Sequence, residues 1–119
     1  MAGQNLTGIP RLIAAGKNSL AGFKACWKHE EAFRQELIIS SLGIPLALYL
    51  TDNSIERILL IGSLILLLIV ELLNSAIEVT VDRIGLEHHE LSGRAKDIAS
   101  TAVLFAIFLT TMTWLLILI

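Results

Sequence analysis

Three stretches of the 119-residue sequence carry no charged side chain: Leu37 to Thr51, Ile58 to Val70, and Ile98 to Ile119. In water such runs must be buried, and a chain this short can bury only a modest core. At 1.5 Å per helical residue the third run alone crosses about 30 Å of hydrocarbon. The second crosses it if the helix continues through Glu71 to Ile77, which makes Glu71 an intramembrane carboxylate. The first is shorter and needs Ala32 and Phe33, or a thinned bilayer edge, to span. Pro45 within it is expected to bend the helix rather than end it, because lipid offers a freed carbonyl few partners outside the protein. Composition agrees with a membrane chain: 55% of residues are hydrophobic and 17% are charged, against about 25% charged in a soluble domain.

The segment before these runs has a different pattern. On a helical wheel starting at Ile9, the residues Leu12, Ile13, Gly16, Leu20, Phe23 and Trp27 fall within about 60° of that residue, and Lys17, Lys24 and Lys28 flank the stripe on one side. An apolar face bordered by lysines suits a helix lying in the headgroup plane, the alternative being a helix packed on the spans. Arg11, Lys17, Lys24, Lys28 and Arg34 precede the first span, and Arg83, Arg94 and Lys96 lie between the second and third. The positive-inside rule therefore puts the N-terminus and that second loop in the cytoplasm, and the C-terminus outside. Cys26 is alone, which excludes an internal disulfide and a cysteine zinc site, and the N-terminus does not read as a signal peptide.

The expected architecture is one all-α integral membrane domain over 1–119. A surface helix at about 7–34 leads to transmembrane helices at 35–51, 55–84 and 97–119, with a cytoplasmic loop at 85–96.

The second span holds the polar residues that suggest chemistry. With Glu71 as origin, helical rotation places Asn74 at about −60°, Glu78 at about −20° and Asp82 at about +20°, all on one narrow face. If hydrocarbon begins near Ile58, Glu71 lies about 20 Å in and Glu78 about 30 Å in, at the cytoplasmic boundary. A carboxylate at depth is costly and usually faces a cavity, a partner or a substrate. One carboxylate near water to hold Mg²⁺ and phosphates, and a deeper one to take a proton from a lipid hydroxyl, would suit phosphoryl transfer between a soluble donor and a membrane-dissolved acceptor. The competing reading is that Glu71 and Asn74 only hydrogen-bond across helices. Glu30 falls at the level expected for Glu78 and could share a Mg²⁺ with it, although composition does not separate Glu30, Glu31 and Glu36. In the loop, Arg94 and Lys96 could neutralise phosphates, whereas adjacent His88 and His89 lack the spacing of a histidine metal site. No glycine-rich phosphate cradle and no protein-kinase motif is present, so a soluble-type nucleotide fold is excluded.

The run from Glu71 to Asp82 (E-x-x-N-S-A-I-E-x-x-V-D) resembles the signature of the bacterial membrane diacylglycerol kinase family. Gly85, the run Glu90-Leu91-Ser92-Gly93-Arg94-Ala95-Lys96-Asp97, and Glu30-x-Ala32-Phe33-Arg34-Gln35-Glu36 match as well, so the resemblance extends from about Arg11 to Trp114. It implies a homotrimer in the bacterial inner membrane whose active sites are shared between subunits, converting diacylglycerol to phosphatidic acid with MgATP. ATP is then a co-substrate, Mg²⁺ the cofactor, and no nucleic-acid partner is expected. Carried over position by position, Glu71 looks like the catalytic base, and Glu30 and Glu78 like the metal carboxylates. Arg11, Glu87, His89, Lys96 and Asp97 look like nucleotide contacts, and Asn74 and Ser100 like active-site groups on the lipid side, with Arg11, Glu71 and Ser100 touching substrate. The chain departs from the family near Lys17 and Asn18, where the glycine is Gly16 and no aromatic follows, and at His88, commonly aromatic. Undecaprenol kinase, with the same core signature, is the nearest alternative. A non-enzymatic ion-conducting subunit is a distant one.

Overall fold

The computed structural model describes residues 5–119; residues 1–4 stand outside that description. Four helices follow one another in the described residues: α1 (Gly8–His29), α2 (Glu31–Leu50), α3 (Ser54–Ile84) and α4 (Glu90–Leu118). The all-α expectation therefore holds, and α2 runs through Pro45 to Leu50 without ending there.

Two boundaries differ from those read in the sequence. Residues 31–34 belong to α2 rather than to the surface helix, because the chain breaks at Glu30, which adopts an extended conformation with φ −116° and ψ 106°. No Gly or Pro marks this break. Residues 90–96 are the first turns of α4 rather than loop, because His89 caps that helix through Nδ1, which accepts the Leu91 N–H at 3.1 Å.

Among the described residues α3 and α4 are long and apolar enough to cross a membrane. Only 6% of the most apolar stretch of α4 is buried within the chain, so this is not the core helix of a water-soluble fold. Its side chains, Leu104, Phe105, Phe108 and Leu116 among them, point outward and require lipid or another protein surface. Helix α2 carries Glu31, Arg34 and Glu36 in its first two turns, which leaves 37–50 as its uncharged part.

Helices α2 and α3 pack along a seam of small residues. A Cβ on Gly43 would lie 2.8 Å from Leu64 Cδ1, so the helices touch where only hydrogen fits. With Gly43 set against Leu64, antiparallel counting puts Ala47 beside Leu60, Ser40 beside Leu67, and Glu36 beside Glu71. The spacing of 3 and 4 along both helices is that of a shallow left-handed crossing. Phe33, Ser40, Gly43 and Ala47 are buried on α2, as are Leu60, Leu64, Leu67 and Glu71 on α3.

Helices α3 and α4 are fastened at the end away from the 85–89 loop. Thr110 Oγ1 donates to the Ser63 carbonyl at 3.0 Å, and Trp114 Nε1 donates to that of Leu60 at 3.2 Å. The turn between α2 and α3 is closed by an asparagine cap, Asn53 Oδ1 accepting the Glu56 N–H at 3.0 Å, while the Thr51 hydroxyl donates to the Glu56 carboxylate. Arg57 reaches back from the fourth residue of α3 and donates to the carbonyls of Leu48 and Thr51, both at 2.7 Å. It thereby satisfies the C-terminus of α2, which has no basic residue in its last turn.

Apart from a contact made by Phe23, the apolar stripe of α1 is left exposed by the rest of the described chain. Ile9, Leu12, Ile13, Leu20, Phe23 and Trp27 are exposed, and Cys26 is the buried residue of the helix. Phe23 meets Phe33 edge to face at a centroid distance of 5.5 Å, which ties the last turns of α1 to α2.

Candidate active site

The polar face of α3 converges on Glu71, whose residue is 3% exposed. One turn on, Asn74 Nδ2 donates to Glu78 Oε1 at 3.3 Å, so the amide holds one carboxylate and stands between the two. Asn74 Oδ1 is buried and has no hydrogen-bond partner among the described residues. Glu71 is within electrostatic reach of both Glu78 and Glu30. Glu30, at the break between α1 and α2, is half-buried. It lies in the wall of an open cleft of about 670 Å³ between α1 and α3. Phe23, Leu72, Ala76 and Val79 make that cleft largely apolar, and Glu30, Ser75 and Thr80 give it a polar margin. Of the sequence-predicted residues, Glu71, Asn74 and Glu78 share one face of α3, and Glu30 comes within electrostatic reach of Glu71 from the break between α1 and α2.

Two members of the neighbourhood were not legible as site residues. Glu36 sits opposite Glu71 and feels its charge, and Glu36 Oε2 is buried with no partner among the described residues. Its signal was the stripe Glu36, Ser40, Gly43, Ala47, at the spacing of 3 and 4 of a helix seam. Cys26 donates weakly to Ser75 Oγ at 3.7 Å and is buried against α3. Burial pushes its thiol above the ordinary range, and the carboxylates of Glu30, Glu71 and Glu36 add to this.

The loop residues form a second cluster. Glu87, His89 and Lys96 line a cavity of about 240 Å³ together with Gly85, His88 and Ser92. Because His89 Nδ1 accepts the Leu91 N–H, the neutral ring carries its proton on Nε2, which remains free to donate. The Glu87 carboxylate folds over Gly85, where a Cβ would approach it within 2.5 Å. Lys96 Nζ donates to Asp82 Oδ1 at 2.6 Å, a bridge between α4 and the C-terminal end of α3. Its ammonium also senses Glu78, which links this cluster to the first. Asp97 is exposed, with its carbonyl accepting the Thr101 hydroxyl at 2.9 Å, and Ser100 is exposed on the following turn. Arg11 is exposed in the first turn of α1. It stands about 27 Å along the helix axis from His29, so it does not join the Glu71 cluster of its own chain.

Comparison with known proteins bears on this arrangement. A profile of the family described as prokaryotic diacylglycerol kinase matches residues 17–118. The chain belongs to that family. Among similar proteins, the diacylglycerol kinase of Escherichia coli strain K12 is 52% identical over 114 residues, covering 96% of this chain and 93% of the relative. Diacylglycerol kinase of Haemophilus influenzae is 48% identical over 108 residues, 91% of this chain and 92% of that one. The Pseudomonas aeruginosa diacylglycerol kinase is 49% identical over 108 residues, 91% of this chain and 88% of its own length. For a member of the prokaryotic diacylglycerol kinase family, the matched span takes in all of α2 and α3 and both polar clusters.

No group of three or more His, Cys, Asp or Glu side chains converges tightly enough to hold a cation among the described residues. The donors that are present nevertheless suit Mg²⁺. It takes oxygen ligands and is usually held by one or two carboxylates, with phosphate oxygens and water completing the shell. Glu30 in the cleft wall and Glu78 on the polar face of α3 each offer a carboxylate, and Asn74 binds only one oxygen of Glu78, leaving the other free.

Proposed function

We propose that this diacylglycerol kinase family member transfers the γ-phosphoryl group of ATP to the free hydroxyl of diacylglycerol, giving phosphatidic acid, at the cytoplasmic face of a bacterial inner membrane. The observation that carries this reading is Glu71, a carboxylate 3% exposed in a helix long and apolar enough to span, with further carboxylates around it. Like charges are not gathered in such a place for packing. The relatives cited above, at about half identity over nearly the whole chain, carry the name diacylglycerol kinase.

In this reading the chain's own groups divide the work by depth. Glu71 accepts the proton of the lipid hydroxyl as the oxygen attacks phosphorus, acting as general base. Asn74 fixes the position of Glu78 through its Nδ2–H. Glu30 and Glu78 would hold Mg²⁺, which when bound offsets the negative charge of the ATP phosphates. Lys96, Glu87 and His89 Nε2–H face the nucleotide from the loop cavity, Asp97 on α4 adds a further nucleotide contact, and Ser100 faces the acceptor lipid. The apolar cleft between α1 and α3 receives the acyl chains, and the exposed stripe of α1 lies in the headgroup layer. Three spans per subunit, with α2 as the first, and a homotrimer with sites shared between subunits complete the proposal. Sharing suits Arg11, which is too far from the Glu71 cluster of its own chain to serve it.

Purified protein in lipid, offered radiolabelled ATP with diacylglycerol or undecaprenol separately, tests the acceptor. Label entering undecaprenol alone would overturn the assignment.

A further inference from the structure

Glu30 is the one residue between α1 and α2, and neither helix contains it. No Gly or Pro beside it forces the break. Its conformation is held instead by hydrogen bonds around it. The Glu30 N–H donates to the Cys26 carbonyl at 2.9 Å, and the Glu30 carbonyl accepts the Arg34 N–H at 3.2 Å. The Arg34 side chain then folds back over the break. Its Nη1 donates to the Trp27 carbonyl at 2.8 Å and to the Lys28 carbonyl at 3.2 Å. These carbonyls lie in the last turn of α1, where no helical N–H follows to satisfy them, and a cation is favoured there by the helix dipole. Arg34 therefore grips α1 on one side of Glu30 while belonging to α2 on the other.

We propose that Arg34 is a positioning residue for the reaction: by clamping the last carbonyls of α1 it fixes where the Glu30 carboxylate stands relative to Glu78. The inference rests on the reading of Glu30 as a metal carboxylate. Without the guanidinium, α1 stays attached near the break through the Phe23–Phe33 contact and the Cys26–Ser75 contact, neither of which constrains the backbone of residue 30. The protein carries its own control. Arg57 is the fourth residue of α3, as Arg34 is of α2, and it caps α2 by the same backward reach to Leu48 and Thr51. That cap lies about 26 Å along α3 from Glu71. An effect of helix capping in general would appear in both variants, whereas an effect on Glu30 belongs to Arg34 alone.

The test is equilibrium binding of Mn²⁺, read by loss of its free electron paramagnetic resonance signal, to the full-length protein in lipid with a non-hydrolysable ATP analogue. Arg34→Ala is expected to raise the Mn²⁺ dissociation constant about tenfold, in the range found when the supports of metal ligands are removed. Arg34→Lys, which keeps the charge on a shorter arm, should recover part of that loss, and Arg57→Ala should stay within about twofold of the parent. Should Arg34→Ala fail to fold, a rise of about threefold or more in Arg34→Lys carries the proposal and a smaller one overturns it. An unchanged constant in Arg34→Ala while Glu30→Gln weakens binding refutes the positioning role and leaves Glu30 as a ligand. Equal effects of Arg34→Ala and Arg57→Ala refute it too. An unchanged constant in Glu30→Gln removes the metal assignment itself, and the proposal with it.

Discussion

Replacing Glu71 by glutamine separates a catalytic carboxylate from one that holds helices together, because the two roles predict opposite changes in stability. The substitution keeps shape and hydrogen-bonding capacity but removes a charge that is 3% exposed and within reach of Glu30 and Glu78, with Glu36 opposite. Insertion scales put the cost of an acidic side chain near a helix centre at roughly 2.5–3.5 kcal/mol. Glu71 lies about two thirds of the way across, so relief of up to about 2 kcal/mol is expected in the variant. Turnover should move the other way. Loss of a general base costs about 10²–10⁴-fold, equivalent to about 3–5 kcal/mol of barrier. The assays are phosphate transfer from labelled ATP to diacylglycerol in lipid, and denaturant unfolding of the same preparation. Turnover within about tenfold of the parent refutes the base. A variant that loses both turnover and more than about 1 kcal/mol of stability refutes the argument that the charge is a strain on the fold, and makes Glu71 an interhelical tie.

The remaining predictions concern packing, capping and accessibility. Gly43→Val should destabilise the α2–α3 seam by about 1–3 kcal/mol, since even a Cβ meets Leu64 at 2.8 Å; unfolding midpoints check this. Arg57→Ala should cost about 1–2 kcal/mol by leaving the carbonyls of Leu48 and Thr51 without their donor, with the same readout. Cys26, buried and with its thiol pushed upward by burial, should react with N-ethylmaleimide at pH 7.5 at least about tenfold more slowly than a free thiol, followed by mass spectrometry. Gly85→Ala should displace the Glu87 carboxylate from its place over residue 85 and raise the KM for ATP more than it lowers kcat.

What the sequence disclosed and what it withheld follow a physical division. The all-α fold and the face shared by Glu71, Asn74 and Glu78 depend on helical periodicity within one segment, and periodicity is written in a single sequence. The end of α1 at His29 depends on an arginine five residues downstream reaching back over Glu30, a contact that no local propensity encodes. The start of α4 was hidden for a similar reason, since a histidine acting as a helix cap is not among the usual signals. Glu36 looked like one of three boundary charges until the register of α2 on α3 set it against Glu71. Arg57 spends its guanidinium on the end of α2, a backward reach that depends on how the 51–53 turn folds and that its place in the sequence does not disclose.

The fastening of α4 to α3 is lopsided. Thr110 and Trp114 bond to backbone carbonyls at one extremity, whereas near the loop an exposed lysine on a solvent-facing aspartate makes the connection. The two helices thus form a hairpin whose open ends are pinned by hydrogen bonds to backbone and whose bend, closed covalently by residues 85–89, carries one ionic contact. If Lys96 meets the donor's phosphates as proposed, they would compete with Asp82 for its ammonium, so that binding of the donor would release the ionic contact between α3 and α4.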